Sequence, residues 1–329
     1  MNGKLNDTER EKKNLIIRAF RILIKEGPIK FSSKCRKYLA YKFRKDELKK
    51  AFSENRPFKR LLQRKTLQKI NIFLSNKDNT IVFPRYKKPK ISIIIITFNK
   101  AFYTFRCLES VKAFADVPYE IILVDNGSKD ETIQILSRLK NMKIIKNPEN
   151  MGFVRACNQA SKIAHGKFLL FLNNDTEILP NCFSNLVRTI EGNKKCGAAG
   201  ARILFPNGRL QDAGAIILRD GTTKSYGCTD SPLKPEYNYV REVDYCSGAC
   251  LLIRSELFHK FGGFDEIYSP GYYEECDFCM KLKKNGYAVL YQPAANIVHY
   301  LGGSSESSAA LNSLVIKNRA KFIKKWGII

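Results

Sequence analysis

No stretch of this 329-residue chain approaches the roughly 18–20 consecutive apolar residues of a membrane span. Its first residues, Met1-Asn2-Gly3-Lys4-Leu5-Asn6-Asp7, lack the apolar core of a signal peptide, so no secretory leader is expected. The ten cysteines are too scattered for a small disulfide scaffold and fit reduced thiols in a cytosol. Cys246 with Cys250 and Cys276 with Cys279 are loosely spaced for a four-cysteine zinc site and read better as small buried hydrophobes. Zinc-finger spacing, an RNP-like aromatic motif and a clear helix-turn-helix are all missing, so nucleic acid is not the expected partner. Acidic residues are scarce at one end only. Residues 1–90 hold 27 Lys and Arg against 8 Asp and Glu, a net of +19, whereas the other 239 residues carry a net of +7.

A polybasic segment without a spanning helix suits an anionic membrane surface, because each Lys or Arg near such a surface contributes about 1 kcal/mol. The bland alternative is a set of solvated basic helix faces. Helical patterns run through about 10–75, and the third, Phe58–Ile70, carries Leu61, Leu62, Leu67 and Ile70 among basic residues. The run Pro84-Arg85-Tyr86-Lys87-Lys88-Pro89-Lys90 is extended and bounded by proline, which predicts a linker. The expected division is therefore a basic helical extension over 1–89 and a catalytic domain over 90–329.

What the second segment has in quantity is short apolar runs that end in polar clusters. Ile91–Ile96 leads into Thr97-Phe98-Asn99, and Ile121–Val124 into Asp125-Asn126-Gly127-Ser128. Lys143–Ile145 precedes Asn147–Gly152, and Phe168–Leu172 leads into Asn173-Asn174-Asp175-Thr176. Each run is too short for a buried helix and rich in Ile, Val, Leu or Phe, so each predicts a strand. Helical patterns between them predict a parallel α/β sheet with helices on both faces, whose ligands sit beyond the strands' carboxyl ends. Ser128-Lys129-Asp130-Glu131 reads as a capping box opening a helix to Leu139. Further on, a strand pair is expected across Val243–Ile253, and helices over Glu256–Phe261 and Glu275–Asn285.

The chemistry follows from those clusters. Asp175 at a strand's carboxyl end suits a divalent cation that bridges diphosphate oxygens, since such an ion needs only one or two protein carboxylates. Asp125, expected at the same position on a neighbouring strand, can accept from a pyrimidine imide or a ribose hydroxyl, or simply cap the following turn. Thr97, Asn99, Asn126 and Asn174 would line the same wall. Gly152 allows close backbone approach, and Asn158, on the helix that follows it, could face the ribose. Of three histidines, His165 and His259 read as cap or surface residues, and His299 precedes the loop Gly302-Gly303-Ser304-Ser305. Glu274, Glu275 and Asp277 begin a helix, where acids are favoured for structural reasons alone.

These clusters, followed in order by Tyr272-Tyr273-Glu274-Glu275-Cys276-Asp277-Phe278-Cys279 and by Val298-His299-Tyr300-Leu301-Gly302-Gly303-Ser304-Ser305, resemble the family 2 glycosyltransferases. The segments Val240–Arg254 and Gly262-Gly263-Phe264-Asp265-Glu266 match the subgroup that makes bacterial surface polysaccharides, the O-antigen and rhamnosyltransferase-like enzymes. The resemblance covers about residues 90–305. It implies a GT-A fold, inversion at the anomeric carbon, and a nucleoside-diphosphate-sugar donor with a uracil or thymine base. The implied acceptor is a saccharide or a lipid-linked saccharide at the cytoplasmic face of the membrane. The family's metal motif falls on Asn173–Asp175, with Asn where many members have Asp, and the resemblance makes His299 a second ligand or phosphate donor for Mn²⁺ or Mg²⁺. Its catalytic Glu-Asp pair falls on Glu274-Glu275, so the base role goes to Glu275, one methylene longer than usual. Asp212, Ser247, Gly248 and Asp277 are expected on the acceptor and sugar side. The competing classes are a sugar-nucleotide nucleotidyltransferase, which would need a glycine-rich loop where Thr97-Phe98-Asn99-Lys100 has none, and a binding protein driven by residues 1–90.

Overall fold

The computed structural model describes residues 56–300 and 308–327, so the expectations placed on residues 1–55 and on the Gly302–Ser305 loop lie outside the described residues. The first described element is helix α1 (Arg56–Ser75). Arg64, Lys65 and Lys69 are exposed on it while Thr66 and Ile70, four residues apart, are buried. Strand β1 (Ile81–Val82) then pairs in parallel with β4 (Leu139–Lys140). Arg138 donates to the carbonyls of Phe73 (2.8 Å), Leu74 (3.0 Å) and Asn76 (2.7 Å), closing the carboxyl end of α1. Ile70, Ile81 and Phe83 belong to the same core cluster as Ile93 and Leu123. Packing is thus continuous across the boundary expected at 89/90: residues 56–83 are part of the domain, and the proline-bounded run is a strap within it.

The sheet that follows is built from β2 (Ile91–Thr97), β3 (Tyr119–Asp125), β5 (Lys143–Lys146), β6 (Phe168–Leu172), β7 (Thr176–Ile178), β8 (Cys196–Leu204), β9 (Leu210–Asp212), β12 (Arg241–Glu242), β13 (Cys250–Arg254) and β14 (Ala288–His299). Its order is β12–β14–β8–β13–β6–β2–β3–β5, with β7 added on β14 and β9 on β8. Strands β6, β2, β3 and β5 run parallel, and β13 enters antiparallel between β6 and β8. The outcome is the expected α/β class with a mixed, largely parallel sheet. Asp125 and Asp175 are not on neighbouring strands, because β2 lies between β3 and β6.

Strands buried on both faces read as continuous apolar runs. Ile91, Ile93 and Ile95 face the core shared with α2 (Ala101–Phe114) and α5 (Cys182–Gly192), which also holds Phe105, Leu108, Leu186 and Ile190. Helices α4 (Phe153–Ser161), α6 (Ser255–Lys260) and α7 (Glu274–Lys284) pack on the other side. There Phe171 meets Phe258 and Phe264 at ring separations of 5.1 and 4.7 Å. Each such buried ring contributes about 1.5–3 kcal/mol.

Two local expectations fail for identifiable reasons. The helix opened by Ser128 shrinks to α3 (Thr132–Leu136), and the capping box does not form. Ser128 Oγ accepts instead from Asn99 N (2.7 Å), and Asp130 accepts from Ala101 N (3.0 Å) and Thr132 N (3.0 Å). The chain beyond leaves for the β1 pairing. In Val243–Ile253 only Cys250–Arg254 is strand, because Ser247-Gly248-Ala249 forms a turn in which Cys250 N donates to Ser247 O at 3.4 Å. A small hairpin of β10 (Ala215–Ile217) and β11 (Thr223–Ser225) stands outside the main sheet, and α8 (Ser308–Trp326) closes the described chain.

Candidate active site at the carboxyl edge of the sheet

Strand register brings the first pair together. Strand β7 pairs antiparallel with β14 so that Thr176 lies opposite His299. The residue before Thr176 is thereby set beside the end of β14: Tyr300 N donates to Asp175 O at 3.0 Å, and His299 Nε2 lies 3.1 Å from Asp175 Oδ1. Both side chains are buried. Gln211 Nε2 meets the other ring nitrogen, Nδ1, at 3.0 Å, while Gln211 Oε1 is buried without a hydrogen-bond partner. Turning that amide over would let Oε1 accept Nδ1–H and leave Nε2 free for a cation, the support that metal-bound imidazoles normally have. One carboxylate and one imidazole suit Mn²⁺ at least as well as Mg²⁺. Among the described residues no group of three or more His, Cys, Asp and Glu converges, so further ligands would come from diphosphate and water.

The acids lie next to this pair. Asp212, one residue after Gln211 on β9, is buried and accepts from Gly214 N (2.7 Å) and Ser225 Oγ (2.7 Å). Burial pushes its carboxyl up, opposed by those bonds and by the charges of Arg241 and His299. Glu275 sits at the start of α7 with its Cβ close to Gly248, whose backbone N–H faces the carboxylate. Burial raises the Glu275 carboxyl above its usual range, the N–H groups of Glu275, Gly248 and Cys276 oppose that, and Asp212 adds to it. A raised carboxylate is a stronger base. Glu274 is buried deeper and held well above the ordinary range by burial and by Glu275 beside it. The Oε2 atoms of both glutamates are buried without a hydrogen-bond partner. Tyr272, which is exposed, feels the charges of Glu274, Glu275 and Asp175 together, so it stands among the two acids and the Asp175–His299 pair.

The residues expected at the nucleotide line the ends of β2 and β3, and most are engaged in building the wall. Thr97 lies opposite Asp125 in the ladder. Asp125 Oδ1 accepts from Ser128 N at 3.0 Å, the turn-capping contact, and Asn99 Oδ1 accepts from Lys129 N at 2.7 Å. Asn174 Nδ2 donates to Thr104 Oγ1 (3.0 Å) and Thr97 Oγ1 (3.4 Å). Asn126 accepts from Asn147 Nδ2 (2.8 Å) and donates to Gly152 O (3.3 Å). Gly152, at φ 83°, is approached by protein: an added Cβ would lie 2.8 Å from Pro270 Cα. Asn158 is tied by both amide atoms to Phe264, donating to its carbonyl at 2.8 Å and accepting from its N–H at 3.0 Å. Ser247 Oγ accepts from Ala249 N at 3.3 Å beside Glu275. Asp277 faces away from Glu275 and is fully buried, bound by Tyr268 OH (3.2 Å), Trp326 Nε1 (2.9 Å) and Lys325 Nζ (2.9 Å). Its contacts dock α8; it is not at the sugar side.

Residues without any sequence signal complete the site. Gln211 lies in a three-residue strand with no motif. Behind Asp175, Arg106 on α2 donates from Nε to Glu177 Oε1 (2.6 Å) and from Nη2 to Tyr300 OH (3.1 Å), binding the segments on either side of the Asp175–His299 contact. His165 is exposed near Lys143 and Glu120. Cys246, Cys250, Cys276 and Cys279 are free and buried.

The model of the family described as Glycosyl transferase family 2 matches residues 92–262, more than half of the chain. The O-antigen biosynthesis protein RfbC of Myxococcus xanthus is 27% identical over 239 residues, which cover 69% of this chain and 18% of that protein. The N-acetylglucosaminyl-diphospho-decaprenol L-rhamnosyltransferase of Mycobacterium tuberculosis is 26% identical over 238 residues, covering 65% of this chain and 77% of that protein. The chain thus spans less than a fifth of the first relative and about three quarters of the second. Among solved structures, GalNAc-T7 with UDP, GalNAc and Mn²⁺ aligns with a TM-score of 0.59 at 17% identity, over 83% of this chain and 58% of that one. The mannosyltransferase PcManGT of Pyrobaculum calidifontis with GDP-Man and Mn²⁺ aligns at 0.52 and 16%, over 80% and 72%.

Proposed function

The chain belongs to glycosyl transferase family 2 and is a glycosyltransferase of GT-A fold, and from that premise we propose that it is metal-dependent and inverting, moving a sugar from a nucleoside diphosphate to a saccharide acceptor. The observation that carries this reading is the buried Asp175–His299 contact together with the Glu275 carboxylate beside Gly248, whose Oε2 is buried without a hydrogen-bond partner. Asp175 and His299 would hold the divalent cation, with the donor's diphosphate completing its shell. When bound, the ion supplies Lewis-acid neutralisation of the leaving group. Glu275 takes the proton of the acceptor hydroxyl while the new C–O bond forms at the anomeric carbon and the bond to phosphate breaks on the opposite side. Gly248 N–H orients that carboxylate. Asp212 repels negative charge on it and so favours the protonated state that follows transfer.

Thr97 and Asp125 form the floor for the nucleotide. A lipid-linked acceptor in surface polysaccharide assembly is supported by the names of the relatives, one an O-antigen protein and another acting at a diphospho-decaprenol, and a donor with a uracil or thymine base is in keeping with the UDP held by GalNAc-T7. No helix among the described residues is long and apolar enough to cross a membrane. Of the polybasic residues 1–90, residues 1–50 are the segment that would attach the enzyme to an anionic surface.

The test is nucleoside diphosphate release from a panel of UDP- and dTDP-sugars with Mn²⁺, Mg²⁺ or chelator. Asp175→Ala should lower turnover by several orders of magnitude, since several kcal/mol of leaving-group stabilisation are lost. Glu275→Gln should lower kcat roughly 10²–10⁴-fold with donor KM nearly unchanged. Full activity of Asp175→Ala in chelator would remove the metal role. A dead Glu274→Gln beside an active Glu275→Gln would move the base by one residue.

A further inference from the structure

Immediately before Glu274-Glu275, two consecutive residues with full side chains lie in the left-handed region, Tyr272 at φ 74° and Tyr273 at φ 76°. Residues with a Cβ rarely occupy that region, and hold it only where the surroundings over-determine it. One side chain from outside the matched family segment does so here. Asn318 of α8 is fully buried, and its Nδ2 donates to the carbonyls of Tyr268 (2.8 Å), Gly271 (2.8 Å) and Tyr272 (3.1 Å). Its Oδ1 accepts from Lys321 Nζ at 3.0 Å. A single amide therefore gathers three carbonyls of a turn that has no ladder of its own.

Helix α8 is itself anchored both to α7 and to the β10–β11 hairpin. Asp277, three residues into α7, accepts from Trp326 Nε1 at 2.9 Å and from Lys325. Phe322 lies 5.3 Å from the Tyr273 ring, whose hydroxyl donates to Gly221 O at 2.9 Å. Arg319 donates to Asp220 O at 2.9 Å. Thus α8 ties the turn before Glu274 to the β10–β11 hairpin, and its amide sits where the backbone of the turn is most strained.

We propose that Asn318 is a positioning residue: by fixing the Tyr272–Tyr273 backbone it sets the direction in which Glu275 leaves α7 toward Gly248 and the acceptor hydroxyl. The proposal rests on Glu275 being the base, as argued above. Misplacement of a catalytic group by about 1 Å costs on the order of 10²-fold in rate, so loss of the amide should appear in kcat and hardly in donor binding.

The chain's only tryptophan, Trp326, reports whether α8 stays docked. The experiment compares full-length wild type, Asn318→Ala, Asn318→Ser and Glu275→Gln for transfer from the UDP- and dTDP-sugar panel to a soluble saccharide, with tryptophan emission recorded on each. Asn318→Ala should keep wild-type emission and donor KM while kcat falls about 10–100-fold. Asn318→Ser, which keeps one donor, should fall less and serves alone if the alanine variant does not fold. Unchanged kcat in a folded variant overturns the proposal. A fall in kcat accompanied by red-shifted Trp326 emission also overturns it, because Asn318 would then merely anchor the helix. If wild type consumes no sugar nucleotide, or Glu275→Gln is fully active, the functional reading fails and this one with it. If both controls behave and Asn318→Ala is fully active, only the positioning role fails.

Discussion

Replacing Arg106 by methionine should be among the most damaging single changes in the domain, although Arg106 carries no chemistry. Arg106 is 8% exposed and its partner Glu177 1%. The guanidinium donates to Glu177 (2.6 Å), to Thr66 Oγ1 on α1 (3.1 Å) and to Tyr300 OH (3.1 Å), and Tyr300 OH in turn donates to Glu177 at 2.5 Å. Its own pKa is driven further up, with burial opposing and the charge of Glu177 prevailing. Arg106→Met fills much of the volume but leaves a buried carboxylate with its countercharge gone, a change that costs about 3–5 kcal/mol. At about 2–4 °C per kcal/mol for a domain of this size, the midpoint should fall by about 6–20 °C. Adding Glu177→Gln removes the stranded charge and should restore most of the loss, with a coupling of about 2–3 kcal/mol in the cycle. Because the stranded carboxylate can be neutralised by acid, the single variant's deficit should shrink between pH 8 and pH 5. Thermal unfolding followed by circular dichroism on the four proteins at both pH values measures this. Additive effects within about 0.5 kcal/mol, or a deficit under about 1 kcal/mol, would refute the reasoning. The same variant should bind Mn²⁺ with nucleoside diphosphate more weakly, since the network holds Glu177 and Tyr300, the neighbours of the Asp175–His299 contact.

Two further outcomes are expected. Glu274 has its carboxyl raised by burial and by Glu275, so its folded-state pKa lies above the unfolded value; its contribution is most favourable below the unfolded pKa, about 4.3, and is lost as pH rises through the folded one. Glu274→Gln should therefore raise stability at pH 8 by about 1–3 kcal/mol and by little at pH 4.5, and a variant destabilised at pH 8 in calorimetry would contradict the assignment. Residues 1–50 hold 16 Lys and Arg against 6 Asp and Glu, so the full chain should bind anionic but not neutral vesicles, with binding that fades as salt shortens the screening length from about 8 Å. Removing them should abolish that binding and spare transfer to a soluble acceptor, whereas equal binding to neutral vesicles would contradict electrostatic attachment.

The sequence by itself determined the strands and what stands at their ends. Ile91–Ile96, Ile121–Val124, Lys143–Ile145 and Phe168–Leu172 all became strands of the main sheet within two residues of their expected ends; the three central runs are apolar because both their faces are buried, whereas Lys143–Ile145 is a half-buried edge strand. Asp125 and Asp175 fell at carboxyl ends for the same local reason. The domain limit was misplaced because a proline-bounded strap has a linker's composition wherever it runs, and only packing reveals that Ile70 and Phe83 lie in the core. Asp277 was read with its neighbours as one acidic cluster, yet two residues along a helix turn a side chain by about 200°, and it docks α8 while Glu275 faces Gly248. The meeting of Asp175 with His299 depends on β7 pairing with β14, and the hold of Asn318 on Tyr272 on α8 docking against the turn before Glu274. Contacts between residues 46 and 124 positions apart leave no trace in local propensity, since the interactions that set them exist only once the chain has folded.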